Sequence, residues 1–141
     1  MTTRFERDRA DVSKYLPANT VHDRIEGLDV WTFVKNTELQ LSFKISIYFC
    51  PDEAVPGYCA QLVSPPVEKS WRSVHVGHLF DDGVICLGGE SMRTRRTLRE
   101  AYAKSCLWAE GIAVMLASKS AGCPSEFPFS ANNTKSEVRD R

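Results

Sequence analysis

The sequence predicts an α+β fold, with a helix at each end and an antiparallel sheet between them. Three observations carry this. The β-forming segments are grouped between residues 28 and 63 and do not alternate with helices, which favours an antiparallel sheet over βαβ units. The strongest helical stripe follows them, beginning at Leu98. Between the two lies a stretch without periodicity, which ends on a cysteine inside an apolar run.

The elements follow in chain order. Residues 4–16 carry Phe5, Val12, Tyr15 and Leu16 among charged residues, a weakly amphipathic helix of about three turns that Pro17 ends. Residues 28–34 combine β-formers with partial alternation and read as a strand. In residues 39–49 the apolar side chains fall on odd positions from Leu39 to Ile47, which predicts a strand with one buried and one wet face. The short Asn36-Thr37 connection between these two predicts a hairpin. Residues 51–57 form a loop, and residues 58–63 a third short strand stopped by Ser64-Pro65-Pro66. Residues 67–83 have no period and read as a long irregular loop, the kind that usually carries function in a small domain. Gly88-Gly89 reads as a flexible link. Residues 98–118 form a largely buried helix. Leu98, Tyr102, Ala109, Ile112 and Leu116 make its stripe, Ser105 interrupts it, and Trp108 and Met115 broaden it. Phe127 and Phe129 are placed to dock back on the core, and residues 131–141 form a polar, flexible tail. One domain over residues 1–130 is expected.

Composition excludes some partners. The 18 Lys and Arg balance 18 Asp and Glu, so no overall charge draws nucleic acid or an anionic membrane. No apolar run is long enough to span a bilayer, and the charged N-terminus lacks a signal-peptide pattern, so a cytoplasmic protein is expected. Five cysteines without an export signal argue against a disulfide framework, and no Cys-x-x-Cys pair marks a structural zinc site. Cys50, Cys59 and Cys106 lie in strand or helix patterns and read as small core hydrophobes, while Cys123 sits in a Gly-Cys-Pro turn.

Cys86 differs. It follows the Asp81-Asp82-Gly83 turn, inside Val-Ile-Cys-Leu, with His75 and His78 upstream. A thiol at the end of a turn suits a nucleophile that accepts and passes on an acyl group. His78 is a candidate hydrogen-bond donor to the oxyanion formed when an amine attacks a thioester, or a loop histidine holding backbone carbonyls. His75 is a supporting candidate. Asp81 and Asp82 are turn residues that could also steer an incoming lysine. Arg93, Arg95, Arg96 and Arg99 form a basic cluster at the start of the long helix. Cations there oppose the helix dipole, which points to an acidic partner surface as the alternative to a solvated face. His75, His78 and Cys86 are ligand types, but their spacing has no zinc signature, and no metal or other cofactor is expected.

The runs Phe49-Cys-Pro-Asp-Glu-Ala-Val-Pro-Gly-Tyr58, Ser64-Pro-Pro66 and His78-Leu-Phe-Asp-Asp-Gly-Val-Ile-Cys-Leu87 together resemble the ubiquitin-conjugating enzymes (the UBC-like family). The closer likeness is to the bacterial branch found in antiviral defence systems of the CBASS type. Leu107-Trp108-Ala109 resembles the tryptophan-containing helix of that branch, and His78 takes the last position of the family's histidine-proline-asparagine motif. Gly77 stands where that motif has proline and Val76 where it has histidine, with His75 one position early. The resemblance covers roughly residues 4 to 130. It implies a UBC-like fold and a thioester on Cys86. The group carried would be a protein with a C-terminal glycine, either a ubiquitin-like protein or a cyclic-oligonucleotide synthase (CD-NTase). That group would be passed to an amine, and any activating enzyme would be a separate chain. The alternatives are a catalytically inactive binding module of the same fold and a metal-binding protein.

Overall fold

The structure, a computed structural model, describes residues 2–89, 91–120 and 127–128. It is α+β, with a four-stranded antiparallel sheet and a helix at either end. Cys123, Phe129 and the expected tail at 131–141 lie outside the described residues.

Helix α1 (Arg4–Tyr15) starts at a reciprocal cap. The Thr3 hydroxyl accepts the Glu6 N–H at 3.1 Å, and the Glu6 carboxylate accepts the Thr3 N–H at 2.9 Å. Phe5, Val12, Tyr15 and Leu16 pack toward the core, as their spacing predicts. Asp8 shares that buried side, and its carboxylate accepts a hydrogen bond from the Tyr58 hydroxyl at 2.5 Å.

The strands β1 (Val21–Ile25), β2 (Leu28–Asn36), β3 (Ser42–Cys50) and β4 (Gly57–Ser64) form a meander in the order β1-β2-β3-β4. Three strands were expected, and β1 is the addition. Its Val-His-Asp-Arg-Ile sequence shows no apolar alternation because all five residues are exposed. Backbone pairing places it, through a two-residue turn at Glu26-Gly27 with φ of 51° and 82°, and His22 and Arg24 add side-chain bonds to Asp29. Two successive left-handed residues suit the twist of a tight hairpin.

The hairpin between β2 and β3 forms, but over a longer connection than Asn36-Thr37. Asn36 still pairs with Ser42, and the turn is closed by Thr37, whose N–H and hydroxyl both donate to the Leu41 carbonyl at 2.9 Å. Leu39 and Leu41 therefore belong to the turn, although they continue the odd-numbered alternation. The alternation holds within β3 itself, where Phe43, Ile45 and Ile47 are fully buried. Each contributes about 1.5–3 kcal/mol by leaving water.

Helix α2 (Leu98–Ser120) packs across β3 and β4 and touches α1. Thr97 caps it, its hydroxyl accepting the Glu100 N–H at 3.2 Å. Leu98, Ala101, Trp108, Ala109, Ile112, Ala113 and Met115 enter the core. The buried Ser105 hydroxyl donates to the Tyr102 carbonyl at 2.8 Å, so the polar interruption of the stripe leaves no orphaned group. Phe127 packs on the same core, as expected. Among the described residues, no helix is long and apolar enough to cross a membrane.

Candidate functional site

The segment between β4 and α2 is irregular but not loose. A 3₁₀ turn (Lys69–Trp71) opens it, and Val67, Trp71 and Leu79 anchor it in the core. The Ser73 carbonyl accepts the His78 N–H at 2.8 Å, and the Trp71 carbonyl accepts that of Gly77 at 3.1 Å. From α2, the buried Trp108 indole donates to the Gly77 carbonyl at 2.8 Å. Trp108 is thus core, as expected, and also a tether for the loop.

After this loop the chain makes a small hairpin around the Asp81-Asp82-Gly83 turn. Phe80 N–H donates to the Val84 carbonyl at 2.8 Å, and Gly83 N–H to the Phe80 carbonyl at 2.9 Å. The hairpin leans on β4: Ile85 N–H donates to the Ala60 carbonyl at 2.8 Å, and Leu62 N–H to the Gly83 carbonyl at 3.0 Å. Cys86 closes it, its N–H donating to the His78 carbonyl at 2.9 Å. The two leading site residues are therefore neighbours across a backbone pair.

Cys86 is less open than a turn-end thiol was expected to be. It is only 9% exposed, between Ile85 and Leu87, which enter the core on either side of it. Burial pushes its thiol above the ordinary value, while the Gly88 N–H and the Arg95 cation pull the other way. His78 is half-buried at φ 53°, its ring 4.4 Å from that of Phe127. Burial, and then the neighbouring His75, hold the ring below its ordinary value of 6.5, so it is neutral at pH 7. His75 is exposed.

Asp82 belongs to a network that supports the hairpin tip. Its carboxylate accepts the Val84 N–H at 3.1 Å and the Arg93 guanidinium at 2.8 Å, and Arg93 also bonds both oxygens of Glu53 at 3.1 Å. The Asp82 carbonyl accepts from the Gln61 side chain at 2.8 Å, which in turn accepts the Tyr48 hydroxyl at 2.7 Å. Arg93 holds the Asp82 carboxyl below its usual range. The Asp82 side chain thus serves the turn and stays partly open to solvent. Asp81 is exposed and has no hydrogen bond or ion pair with the described residues.

The four arginines are not one exposed cluster. Arg93, Arg95 and Arg96 precede α2, so they do not sit in its first turn. Arg93 is bridged as above, and Arg95 is half-buried on backbone carbonyls. Arg99 donates to the Tyr15 hydroxyl at 2.7 Å. Arg96 is exposed and lines, with Arg4 and Arg7, a groove of about 450 Å³ beside α1. Gly88 and Gly89 have φ of 75° and 76°, and they form a defined turn, not the expected flexible link. Its closure is the Leu87 N–H on the Met92 carbonyl at 2.7 Å.

Among the described residues no three His, Cys, Asp or Glu side chains gather as a metal site requires, and His75, His78 and Cys86 are within that set. Cys59 is fully buried, as expected, but Cys50 is only half-buried. The hydrogen bond between their thiols makes Cys50 the more acidic of the two. Cys50 is expected to alkylate at a lower pH than Cys59, read peptide by peptide in a mass spectrometer. Equal reactivity would contradict this geometry.

Tyr48, Glu53, Gln61 and Gly88 join the site although no sequence feature marks them. Comparison with protein-family models, with curated proteins and with solved structures finds no match.

Proposed function

We propose that the chain is a ubiquitin-conjugating-type acyl carrier with a UBC-like fold, acting in the cytoplasm in bacterial antiviral defence. The observation that carries the reading is Cys86 itself. A single thiol closes a hairpin paired to β4 and braced by the Asp82–Arg93–Glu53 bridges. The resemblance of its flanking residues to the family's active-site segment supports it further.

In this reading the Cys86 thiolate attacks the carbonyl carbon of a C-terminal glycine that a separate activating enzyme presents as an activated acyl group. The activating group leaves, and a thioester forms. An amine of the acceptor then attacks the same carbon, expelling the thiolate and losing a proton to give an amide. A thiol suits the role because its ester reacts with amines yet survives long enough in water to be handed on. The carried protein is a ubiquitin-like protein or a cyclic-oligonucleotide synthase. Arg96 and Arg99 are the members of the arginine group left open enough to meet a partner.

The test is a thiol-labile adduct between this chain and a glycine-ended protein, formed with an activating enzyme and mapped to the Cys86 peptide. Absence of any adduct under conditions where the activating enzyme is itself charged would sink the reading. One observation favours a second reading, the binding module: Cys86 is 9% exposed and burial disfavours its thiolate. Binding of the glycine-ended protein without any covalent product identifies that case.

His78 gives a separate expectation. If its neutral ring donates to the oxyanion, His78→Ala should load the thioester normally but discharge it slowly, by up to about 10²–10³-fold for one lost donor. Loading and discharge assays run separately decide it, and unchanged discharge removes the role.

A further inference from the structure

We infer that Phe127 is a positioning residue for His78: its ring, seated on the bare backbone of α2 at Gly111, is the wall against which the imidazole is set. That His78 takes part in discharge rests on the carrier reading of Cys86; that Phe127 sets the ring does not.

The His78 backbone is pinned on both sides. Its N–H donates to the Ser73 carbonyl at 2.8 Å, and its carbonyl accepts the Cys86 N–H at 2.9 Å. Its φ of 53° is a conformation that few residues adopt, histidine more readily than most. The side chain has no such fixture. Neither ring nitrogen makes a hydrogen bond among the described residues. A half-buried imidazole without polar partners is oriented by packing. The ring that meets it is Phe127, 4.4 Å away between centroids at an interplanar angle of 45°.

Phe127 is itself seated by a feature of α2. Gly111 lies buried in the interior of that helix, where glycine is costly relative to alanine. A Cβ there would stand 2.5 Å from Cζ of Phe127 and 2.9 Å from both Cε atoms. The distal edge of the ring thus rests directly on helix backbone, a place that no other residue at 111 would leave open. One aromatic side chain therefore spans from α2 to the loop that carries His78, and that loop holds Cys86 through the His78 carbonyl.

An imidazole without internal hydrogen bonds has its N–H to offer to an oxyanion. The offer counts only if the ring is already aimed, since misplacement by about 1 Å can cost about 10²-fold in rate. Phe127 also covers part of the ring, in line with the lowered titration of His78 by burial. The ionisable neighbour that acts on the imidazole is His75, from the same loop. Gly111 and Phe127 bring no charge, and Cys86 meets His78 through backbone.

The test is made on the full chain by NMR, where three histidines keep the spectrum simple. The carbon-bound imidazole protons of wild type, Phe127→Ala, Phe127→Leu and Gly111→Ala are followed across a pH series, with His78→Ala giving the assignment. In Phe127→Ala the His78 signals should lose their ring-current shift, and the imidazole should titrate higher, toward 6.5. Gly111→Ala should do the same with Phe127 intact, by lifting its ring, and should add nothing in the Phe127→Ala background. Phe127→Leu keeps an apolar wall without the aromatic face, so it should restore the low titration but not the ring-current shift. His22, on β1, is the control and should not move. His78 signals and titration unchanged in folded Phe127→Ala would overturn the inference. Where the variants fail to fold, wild type decides: no cross-relaxation peak between the His78 and Phe127 rings would overturn it equally. Thioester discharge is the second readout. Phe127→Ala should load normally and discharge up to about 10²-fold slower, and no slower than His78→Ala. A defect in His78→Ala that folded Phe127→Ala does not share would overturn the positioning role. The two failures are distinguishable. A missing thioester beside a Phe127-dependent His78 spectrum sinks the carrier reading alone, and a normal thioester beside an indifferent spectrum sinks the role of Phe127 alone.

Discussion

Cys86→Ala is expected to reduce conjugation to background while leaving the fold in place. Among the described residues, Cys59 is fully buried, and Cys50 and Cys106 lie in β3 and α2 and not in the hairpin that Cys86 closes. The stability cost should be roughly 1 kcal/mol, because one sulfur is removed from a site that is nearly closed. Cys106→Ala supplies the contrast, with a similar cost in stability and full conjugation. Cys86→Ser should convert the labile thioester into a more persistent oxyester, since a hydroxyl attacks less readily but its ester also resists amines. Conjugation is read on denaturing gels with and without reductant, and stability by thermal melting. Full conjugation by a folded Cys86→Ala protein would end the reading of Cys86 as the carrier.

What could be seen in the sequence, and what could not, follows from how each feature is held. The buried face of β3 and the stripe of α2 are legible because burial selects apolar residues at a fixed period. Strand β1 is not legible, because its five residues are exposed and backbone pairing with polar contacts to Asp29 leaves no apolar alternation. The hairpin at Asp81-Asp82-Gly83 is legible as a turn, and its closing cysteine as a candidate. The depth of that cysteine is not, since Val-Ile-Cys-Leu reads the same whether the thiol is open or buried. The arginines mislead for a similar reason. Four cations close in sequence look like one surface feature, yet Arg93 turns to carboxylates forty and eleven residues away. Arg95 turns to carbonyls, which every residue type supplies and no pattern reveals. The departure at Gly77 becomes intelligible only once Trp71 and Trp108 are seen on either side of it.

That position carries the largest expected loss of stability from a single added methyl group. A Cβ on Gly77 would lie 2.3 Å from the Trp71 carbonyl oxygen and 3.1 Å from the Trp71 Cβ. Neither is the yielding end of a long side chain, and Trp71 is itself buried, so the loop must shift as a whole. Overpacking of this kind costs about 1–3 kcal/mol. The shift would also pull the Gly77 carbonyl from the buried Trp108 indole, and a buried donor left without an acceptor costs about 1–3 kcal/mol more. Gly77→Ala is therefore expected to lower Tm by roughly 10 °C, at a few degrees per kcal/mol for a domain of this size. It should also impair whatever chemistry Cys86 performs, because His78, whose carbonyl holds the Cys86 N–H, is the next residue. Trp108→Phe separates the two contributions, since it removes the indole donor and keeps the Trp71 contact untouched. It should show the smaller drop in Tm, with the loop less displaced. A Gly77→Ala protein that melts within a degree of wild type would mean that the Trp71–Gly77 contact is looser than its geometry, and that the loop carrying His78 is not held there.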